Sequence, residues 1–249
     1  MINFKGKKIL ITGATGGIGH ALVKKFLSLE GTVLATGTNT EKLDRLKKEF
    51  PTINVLKFDI SEHSKIEEFI ENVSSQLVGL DILINNAGIT MDNLSLRMKD
   101  EEWNKVININ LSSTFYLCKH AIKKMLKNKY GRIVNITSIV GHTGNLGQSN
   151  YSASKAGMVA MSKSLAIEYA KKNITINCVS PGFIQSNMTD KIVESIKAVL
   201  TSRIPMSKLG TGEDVSNTVA FLSSDAASYI TGETTVSYTH LTLPTNREV

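Results

Sequence analysis

The chain has 249 residues, of which 41% are hydrophobic and 20% charged, a composition that supports a buried core and excludes bulk disorder. No apolar run approaches the roughly 20 residues that span a bilayer, so we expect no membrane segment. The net charge of +7 predicts anionic partners, whether nucleotides, phosphorylated carriers, acidic proteins or nucleic acid. Two cysteines, Cys118 and Cys178, are too few for a disulfide framework or a four-ligand zinc site, which predicts reduced thiols in a cytoplasmic protein and no metal.

Short aliphatic runs alternate with longer amphipathic runs along the chain. The predicted strands are Lys8–Thr12, Thr32–Thr36, Asn54–Phe58, Asp81–Asn85, Arg132–Thr137 and Ile174–Val179. The predicted helices are Ile18–Leu29, Glu41–Glu49, Ser64–Gln76, Glu101–Leu126, Tyr151–Lys171, Asp190–Leu200 and Glu213–Leu222. This alternation predicts an α/β fold, a single doubly wound Rossmann-type domain over residues 1–236, with helices on both faces of a parallel sheet. Such a sheet binds its ligand at the carboxyl ends of its strands.

The loop after the first predicted strand is rich in glycine and opens the first predicted helix. It reads Thr12-Gly13-Ala14-Thr15-Gly16-Gly17-Ile18-Gly19. Glycines permit tight turning and let backbone N–H groups approach a pyrophosphate at the positive end of a helix. The loop therefore predicts a dinucleotide site with contacts at Gly13, Thr15, Gly16, Gly17, Ile18 and Gly19.

Three further strand ends extend this prediction. The second strand ends in Thr36-Gly37-Thr38-Asn39, where the absence of an acid favours NADP over NAD and makes Thr38 a candidate contact. After the third strand, Asp59 could accept a hydrogen bond from an adenine amino group, and Ile60, which follows it, is a further candidate contact. Alternatively, Asp59 or Ser61 could cap a helix. After the fourth, Asn86, Ala87 and Gly88 would lie close to the cofactor, although an ordinary strand-end turn explains them as well.

Tyr151 and Lys155 are four residues apart at the start of a predicted helix and therefore share one face. A nearby ammonium favours phenolate, so we expect Lys155 to lower the pKa of Tyr151, which would protonate a nascent alkoxide. Ser138, just past the fifth strand, could polarise the substrate carbonyl. Asn110 could hold a water that connects Lys155 to solvent, or could instead be a helix-distorting or exposed asparagine.

These residues, together with Pro181-Gly182, occur in the order and spacing of the short-chain dehydrogenase/reductase family, which the chain resembles from about Phe4 to Glu233. The resemblance implies a mostly parallel seven-stranded sheet and a homotetramer. It also implies that Asn110, Ser138, Tyr151 and Lys155 form the catalytic set. The cofactor contacts that it adds are Tyr151, Lys155, Pro181, Gly182 and Ile184.

Within the family, the chain is similar to bacterial enzymes that use NADPH to reduce 3-oxoacyl groups on acyl carrier protein in fatty-acid elongation. The stretches Gly147–Tyr151 and Pro181–Ile184 carry this likeness. It implies an acidic carrier protein as partner, met by Arg132 and Lys172. The alternatives are a short-chain reductase of an acyl-CoA, sugar or small ketone, and a non-catalytic NADP-binding regulatory protein. We expect no nucleic-acid partner, because interleaved basic and aromatic clusters are lacking.

The chain departs from the family pattern at two places. Gly16 stands where many NADP-dependent relatives carry arginine, which removes one phosphate contact. After about Thr234 the sequence leaves the pattern altogether, which puts the seventh strand in question. We interpret residues 237–249 as an aberrant C-terminal tail, and expect Tyr238–Val249 not to reproduce the family's terminal packing.

Overall fold

The computed structural model describes residues 2–185, 201–202 and 204–237. The predicted helix Asp190–Leu200 and the tail segment Tyr238–Val249 lie outside these residues. The strands are β1 (Lys8–Ile11), β2 (Thr32–Gly37), β3 (Asn54–Lys57), β4 (Ile82–Asn85), β5 (Gly131–Ile136), β6 (Ile174–Pro181) and β7 (Thr234–Ser237). The six strands predicted from the sequence are confirmed, with ends that differ by one or two residues.

The α-helices lie between the strands, as the sequence predicts. They are α1 (Gly17–Ser28), α2 (Thr40–Glu49), α3 (Ile66–Leu77), α4 (Asp100–Ile107), α5 (Ser113–Asn128), α6 (Val140–Thr143), α7 (Ser149–Tyr169) and α8 (Gly212–Ser223). Short 3-10 turns occur at His63–Lys65, Ala170–Lys172 and Asp225–Ala227. Within the described part of the chain, none of these helices is both long and apolar enough to cross a membrane.

The seven strands form one sheet in the order β3-β2-β1-β4-β5-β6-β7, and every neighbouring pair is parallel. The order reverses between β1 and β4, which opens a crevice at the carboxyl ends of these two strands. Strand β7 pairs with β6 from Cys178 opposite Thr234 to Pro181 opposite Ser237. The seven-stranded Rossmann-type sheet is therefore confirmed, including the strand that the departure after Thr234 put in question.

Both faces of the sheet are buried, because successive side chains of a strand point to opposite sides. In β1, Ile9 and Ile11 belong to a core completed by α1 and α8, with helix residues such as Phe26 and Val219. Leu10 points to the other side, where α3, α5 and α7 cover the sheet. Burial on both faces explains why the strands are nearly continuous aliphatic runs.

The predicted helix Glu101–Leu126 is interrupted in the structure. A π-helical turn at Asn108–Ser112 separates α4 from α5. Its wider loop is closed by the Ser113 backbone N–H, which donates to the Asn108 carbonyl, and the Ser113 hydroxyl donates to the same oxygen at 3.0 Å. Asn110 lies in the middle of this turn. The continuous helix was thus a wrong prediction at a position where such turns often accompany functional sites.

Candidate active site

The glycine loop packs tightly against the end of β4. Gly13 has a φ of +61°, and a Cβ on it would lie 2.7 Å from the Cα of Ala87. A Cβ on Gly19 would lie 2.2 Å from the Gly13 carbonyl oxygen. The Asn86 side chain donates to the carbonyls of Thr12 at 3.1 Å and Gly13 at 2.9 Å. Backbone therefore approaches backbone here, and the glycines at these two positions are required by space.

The start of α1 is exposed to solvent, whereas the rest of the glycine loop is packed against neighbouring backbone. Gly16 is the N-cap and is exposed, and a Cβ on it would have the Gly13 oxygen, 3.7 Å away, as its nearest neighbour. Gly17 is also exposed. The N–H groups of a first helical turn have no intrahelical acceptors and lie at the positive end of the dipole. These residues fit the phosphates of a dinucleotide, with Ile18 packed into the core beneath them.

The ends of β2 and β3 border the same crevice. The Thr15 side chain lies against Gly37, because a Cβ on Gly37 would be 3.5 Å from its hydroxyl oxygen. Thr38 is exposed. The carboxylate of Asp59 accepts from the Ser61 backbone N–H at 2.9 Å, which uses one of its oxygens in a local turn. The side chain of Ile60, by contrast, is buried in the core, so only its backbone can face a ligand.

Asn110 is fully buried and its side chain is engaged within the chain. Its amide nitrogen donates to the Ile89 carbonyl at 2.9 Å and to the Ser154 hydroxyl at 3.1 Å, and its oxygen accepts from the Ile89 N–H at 2.9 Å. A Cβ on Gly88 would lie 3.2 Å from this oxygen and 3.5 Å from Lys155 Nζ. Asn110 thus joins the π-helical turn, the segment after β4 and α7 beside the lysine.

Lys155 and Tyr151 occupy the first turns of α7 at the carboxyl edge of the sheet. Lys155 is buried, and its ammonium donates to the Ile136 carbonyl at 2.8 Å. It lies 5.6 Å from the centroid of the Tyr151 ring. The side chain of Ser138 interacts with the phenol of Tyr151 and favours its ionised form. The structure therefore brings together the four residues that the sequence singled out for catalysis.

The expected depression of the pKa of Tyr151 is wrong for the structure as described. The pKa of Tyr151 is raised, chiefly by burial; the interaction with Ser138 opposes this rise and the Asp92 carboxylate adds to it. Burial also lowers the pKa of Lys155 from 10.5 to about 8. The sequence spacing brought the pair to one helix face, but it could not indicate that Lys155 is buried and Tyr151 only partly exposed, which favours the neutral forms.

The segment after β6 passes beside the catalytic residues. The Pro181 carbonyl accepts from the Ile139 N–H at 3.0 Å, next to Ser138, and the Gly182 N–H donates to Ser237 at 3.3 Å. Ile184 forms an isolated bridge with Gly210. These contacts hold the segment that carries the predicted cofactor contacts Pro181, Gly182 and Ile184, whose continuation from Ser186 lies outside the described part.

An apolar groove that the sequence analysis missed runs beside the turn that carries Tyr151. It has a volume of about 610 Å³ and is lined by Leu94, Leu96 and Leu146, together with polar residues that include Arg97, Asn145, Ser149 and Ser152. Leu96 and Leu146 are 100% and 85% exposed. Leu146 lies between Gly144 and Gly147, which both have positive φ. An apolar residue between glycines in a polar loop was the signal that could have indicated this groove.

Arg132 does not lie on the surface, contrary to the expectation that it meets a carrier protein. It is 1% exposed. Its guanidinium donates to the carbonyls of Gly131 and Asn173 and to the Asp225 carboxylate, and lies 4.4 Å from the Tyr130 ring centroid. These contacts use the guanidinium inside the chain. The charge of the residue suggested a docking role, and its burial corrects that prediction.

Lys172 is exposed but lies at the other edge of the sheet from Tyr151. It ends the 3-10 turn Ala170–Lys172 that precedes β6, whereas Tyr151 lies near the carboxyl ends of the strands. The two edges are about 26 Å apart along an eight-residue strand. The structure therefore does not bring Lys172 beside Tyr151 within one chain.

Comparisons with known proteins agree with this geometry. Residues 13–237 match a family profile described as enoyl-(acyl carrier protein) reductase. The chain is 51% identical over 238 residues to the 3-oxoacyl-(acyl-carrier-protein) reductase of Rickettsia felis, covering 94% of this chain and 96% of that protein. It is 43% identical to the enzyme of that name from Escherichia coli, with the same coverage. A crystal structure from Agrobacterium tumefaciens, provisionally assigned as a gluconate dehydrogenase, superposes with a TM-score of 0.90 at 27% identity, over 94% and 95% of the two chains.

Proposed function

The chain belongs to the short-chain dehydrogenase/reductase family, and we propose that within it the protein uses NADPH to reduce 3-oxoacyl groups carried on an acyl carrier protein. The observation that carries this proposal is the leucine-lined groove that opens beside Tyr151. An acyl chain can lie along such a groove and bury its methylene groups against the three leucines, which the hydroxyl-bearing carbons of a sugar would do less well. Relatives named 3-oxoacyl-(acyl-carrier-protein) reductase, at 43–51% identity, support the same substrate.

The catalytic residues would act on the carbonyl oxygen of the substrate. NADPH, when bound, supplies a hydride to the carbonyl carbon. Ser138 and Tyr151, whose side chains interact with each other, present two hydroxyl groups to the oxygen on which negative charge develops. Tyr151 donates its proton to that oxygen. Because burial raises the pKa of Tyr151, the phenol is in its protonated form before the reaction, as a proton donor must be.

Lys155 and Asn110 would support this proton transfer. An ammonium has three donors, of which Lys155 uses one for the Ile136 carbonyl. Its positive charge beside the ring stabilises the phenolate that remains after proton transfer. The Asn110 oxygen accepts from Ile89, which leaves it a second lone pair, and both this oxygen and Lys155 Nζ lie beside Gly88. A water bound there would connect Lys155 with solvent and resupply the proton.

NADPH is proposed as the reductant because no acid stands at the end of β2. Gly37 occupies the position from which a carboxylate would repel a 2′-phosphate. The hydroxyls of Thr15 and Thr38 border that position and can donate to a phosphate. Gly16, where an arginine would reach the same phosphate, contributes only backbone.

The carrier protein and the assembly are proposed together. Lys172 remains the basic residue assigned to an acidic carrier, but it lies at the amino edge of its own sheet. A carrier that binds there would deliver its acyl group to the Tyr151 of a second copy. This arrangement requires an oligomer, and we propose a homotetramer in the cytoplasm.

Following the loss of NADPH absorbance at 340 nm tests the proposal. Acetoacetyl groups would be presented on acyl carrier protein and on CoA, with trans-2-butenoyl carrier protein as the control for enoyl reduction, and NADH as the control for the cofactor. We expect rapid oxidation of NADPH with the 3-oxo carrier substrate and little with the enoyl substrate. Reduction of the enoyl substrate alone, or a preference for NADH, would contradict the proposal.

A chain-length series tests the groove directly. We expect Leu96→Ser and Leu146→Ser to lower kcat/KM for 3-oxodecanoyl carrier protein several-fold more than for acetoacetyl carrier protein, since a longer chain buries more of the groove. Val78→Ser, which changes an apolar residue of 83% exposure in the loop after α3, is the matched control. An equal effect of the two leucine variants on both chain lengths would show that the acyl chain lies elsewhere.

A further inference from the structure

A row of polar side chains crosses the sheet at one level, near its carboxyl edge. Asn85 of β4 is in register with Asn135 of β5, Asn135 with Cys178 of β6, and Cys178 with Thr234 of β7. Asn85, Asn135 and Cys178 are at most 2% exposed. Their neighbours along the strands, such as Ile84 and Val134, are apolar. Polar groups buried in an aliphatic sheet need specific partners, because each unpaired one is costly.

Asn135 is at the centre of the hydrogen bonds in this row. Its side-chain oxygen accepts from the Asn85 amide at 2.8 Å, and its own amide donates to the Ser162 hydroxyl at 2.8 Å. Ser162 is 1% exposed, and its hydroxyl donates to the Met158 carbonyl at 2.7 Å. The side chain of Asn135 therefore connects β4, β5 and helix α7 without contact with water.

Helix α7 is attached to β5 at two points that are adjacent along the strand. Asn135 bonds Ser162, and the next carbonyl, that of Ile136, accepts from Lys155. Lys155 and Ser162 are seven residues apart, so they lie two turns apart on one face of the helix. The two bonds fix both the rotation and the axial position of α7 on the strand, one at Lys155 itself and the other two turns further along the helix.

We propose that Asn135 is a positioning residue of the reaction, whose amide holds α7 on β5 through Ser162 and thereby keeps the Lys155 ammonium at the Ile136 carbonyl. The part that concerns the reaction rests on the proposed function, whereas the placement of Lys155 does not. The buried amide network specifies one arrangement of helix on strand, where apolar packing alone tolerates small shifts.

Few titratable groups of the described residues face Lys155. The ring of Tyr151 lies against it from α7, and Cys178 interacts with it from β6. Burial raises the pKa of the Cys178 thiol to about 11, which keeps that group neutral. Since burial is the main cause of the low pKa of Lys155, a helix that is no longer fixed would let the ammonium reach water and its pKa would rise.

The test measures the titration of Lys155 by NMR on the full chain labelled with ¹³C at lysine Cε, with Lys155→Met to assign the signal. We expect the pKa of Lys155 to rise by about one pH unit in both Asn135→Leu and Ser162→Ala. The double variant should add little, because both changes remove the same bond. With the 3-oxoacyl substrate, kcat should fall about tenfold at unchanged KM, as for loss of an interaction that acts in the transition state.

Asn177→Leu is the matched control. Asn177 is a buried strand asparagine of β6, opposite Val134, that bonds the backbone of Ile230 and Glu233 and, among the described residues, makes no hydrogen bond to α7. We expect Asn177→Leu to destabilise the fold and to leave the pKa of Lys155 unchanged. An equal rise in this control, or an unchanged pKa in Ser162→Ala, would overturn the proposal.

The milder Ser162→Ala keeps the test possible if Asn135→Leu does not fold. The NMR titration uses no substrate, so its outcome is independent of the enzyme assay. An inactive wild type in which the variants still shift the pKa of Lys155 would contradict the proposed function alone. An active wild type with an unmoved pKa in Ser162→Ala would contradict the role of Asn135 alone.

Discussion

Two buried cations lie at opposite edges of the same sheet and differ in how many of their donors are hydrogen-bonded. At the amino edge, Arg132 is enclosed by two carbonyls, the Asp225 carboxylate and the Tyr130 ring. At the carboxyl edge, Lys155 is as deeply buried, yet among the described residues its ammonium donates one hydrogen bond, to the Ile136 carbonyl. The pKa of Lys155 is lowered to about 8 by this burial.

The difference between the two cations distinguishes a structural role from a reactive one. A guanidinium whose two terminal nitrogens donate within its own chain is a structural element that holds strand ends and loops together. An ammonium kept out of water with donors to spare is unfavourable for folding and useful only when a ligand or a reacting group completes its surroundings. We therefore expect substitutions at the two edges to separate activity from stability.

The largest effect is expected for Lys155→Met. Activity should fall by about 10²- to 10⁴-fold, because the charge that stabilises the phenolate of Tyr151 is lost. Stability at pH 7 should nevertheless increase, because the buried ammonium is removed. The gap between a pKa of 10.5 and about 8 corresponds to at most about 3 kcal/mol. Urea denaturation of both proteins at one protein concentration measures this difference.

The pH dependence of that difference gives a second readout. The pKa of Lys155 is lower in the folded protein, so between about pH 8 and 10.5 the unfolded chain binds more protons and stability rises with pH. Below pH 8 the full cost of the buried charge is present. The advantage of Lys155→Met should thus shrink as the pH rises through this window. An advantage that grows with pH would contradict the assigned burial.

The opposite pattern is expected for Arg132→Leu. Loss of the hydrogen bonds to Gly131, Asn173 and Asp225 should lower the free energy of unfolding by about 2 kcal/mol, since the buried Gly131 carbonyl and the part-buried Asn173 carbonyl each lose a donor. At temperatures where the variant is folded, the ratio of KM for the carrier-protein substrate to KM for the CoA substrate should be the same as in the wild type. A selective loss of the carrier-protein substrate at unchanged stability would restore the docking role that burial argues against.

The smallest effect is expected for Lys172→Ala. An exposed charge contributes modestly, so KM for the carrier-protein substrate should rise about two- to fivefold at low salt and less at high salt. KM for acetoacetyl-CoA and the unfolding midpoint should stay unchanged. Lys124→Ala, a lysine paired with Glu71 on the α3–α5 side, serves as the control for a general loss of positive charge. Equal effects of the two variants would remove Lys172 from the docking surface.

Much of the fold was predictable because its signals are local. The strands are aliphatic on both faces, and the glycine loop follows the first of them, so the parallel sheet and its ligand edge follow from periodicity and order. The π-helical turn at Asn108–Ser112 was not predictable in this way, since it depends on hydrogen bonds that a regular helix of the same sequence would make differently.

The candidate site shows the same division. The spacing of Tyr151 and Lys155 on one helix is a sequence property, and the structure brings Ser138 and Asn110 to them. The sign of the pKa change of Tyr151 was wrong because burial depends on every element packed around the phenol. Arg132 was misplaced for the same reason: charge is visible in sequence, whereas the packing of Tyr130 and Asp225 around it is not.

The central claim, that Tyr151 donates the proton at the carboxyl edge, is tested most directly by Tyr151→Phe. Oxidation of NADPH would be followed at 340 nm with acetoacetyl carrier protein, and NADPH affinity would be measured separately by fluorescence titration. We predict a loss in kcat of about 10²- to 10⁴-fold with NADPH still bound, because phenylalanine fills the same space without a proton to give. Retention of wild-type kcat in this variant would contradict the account.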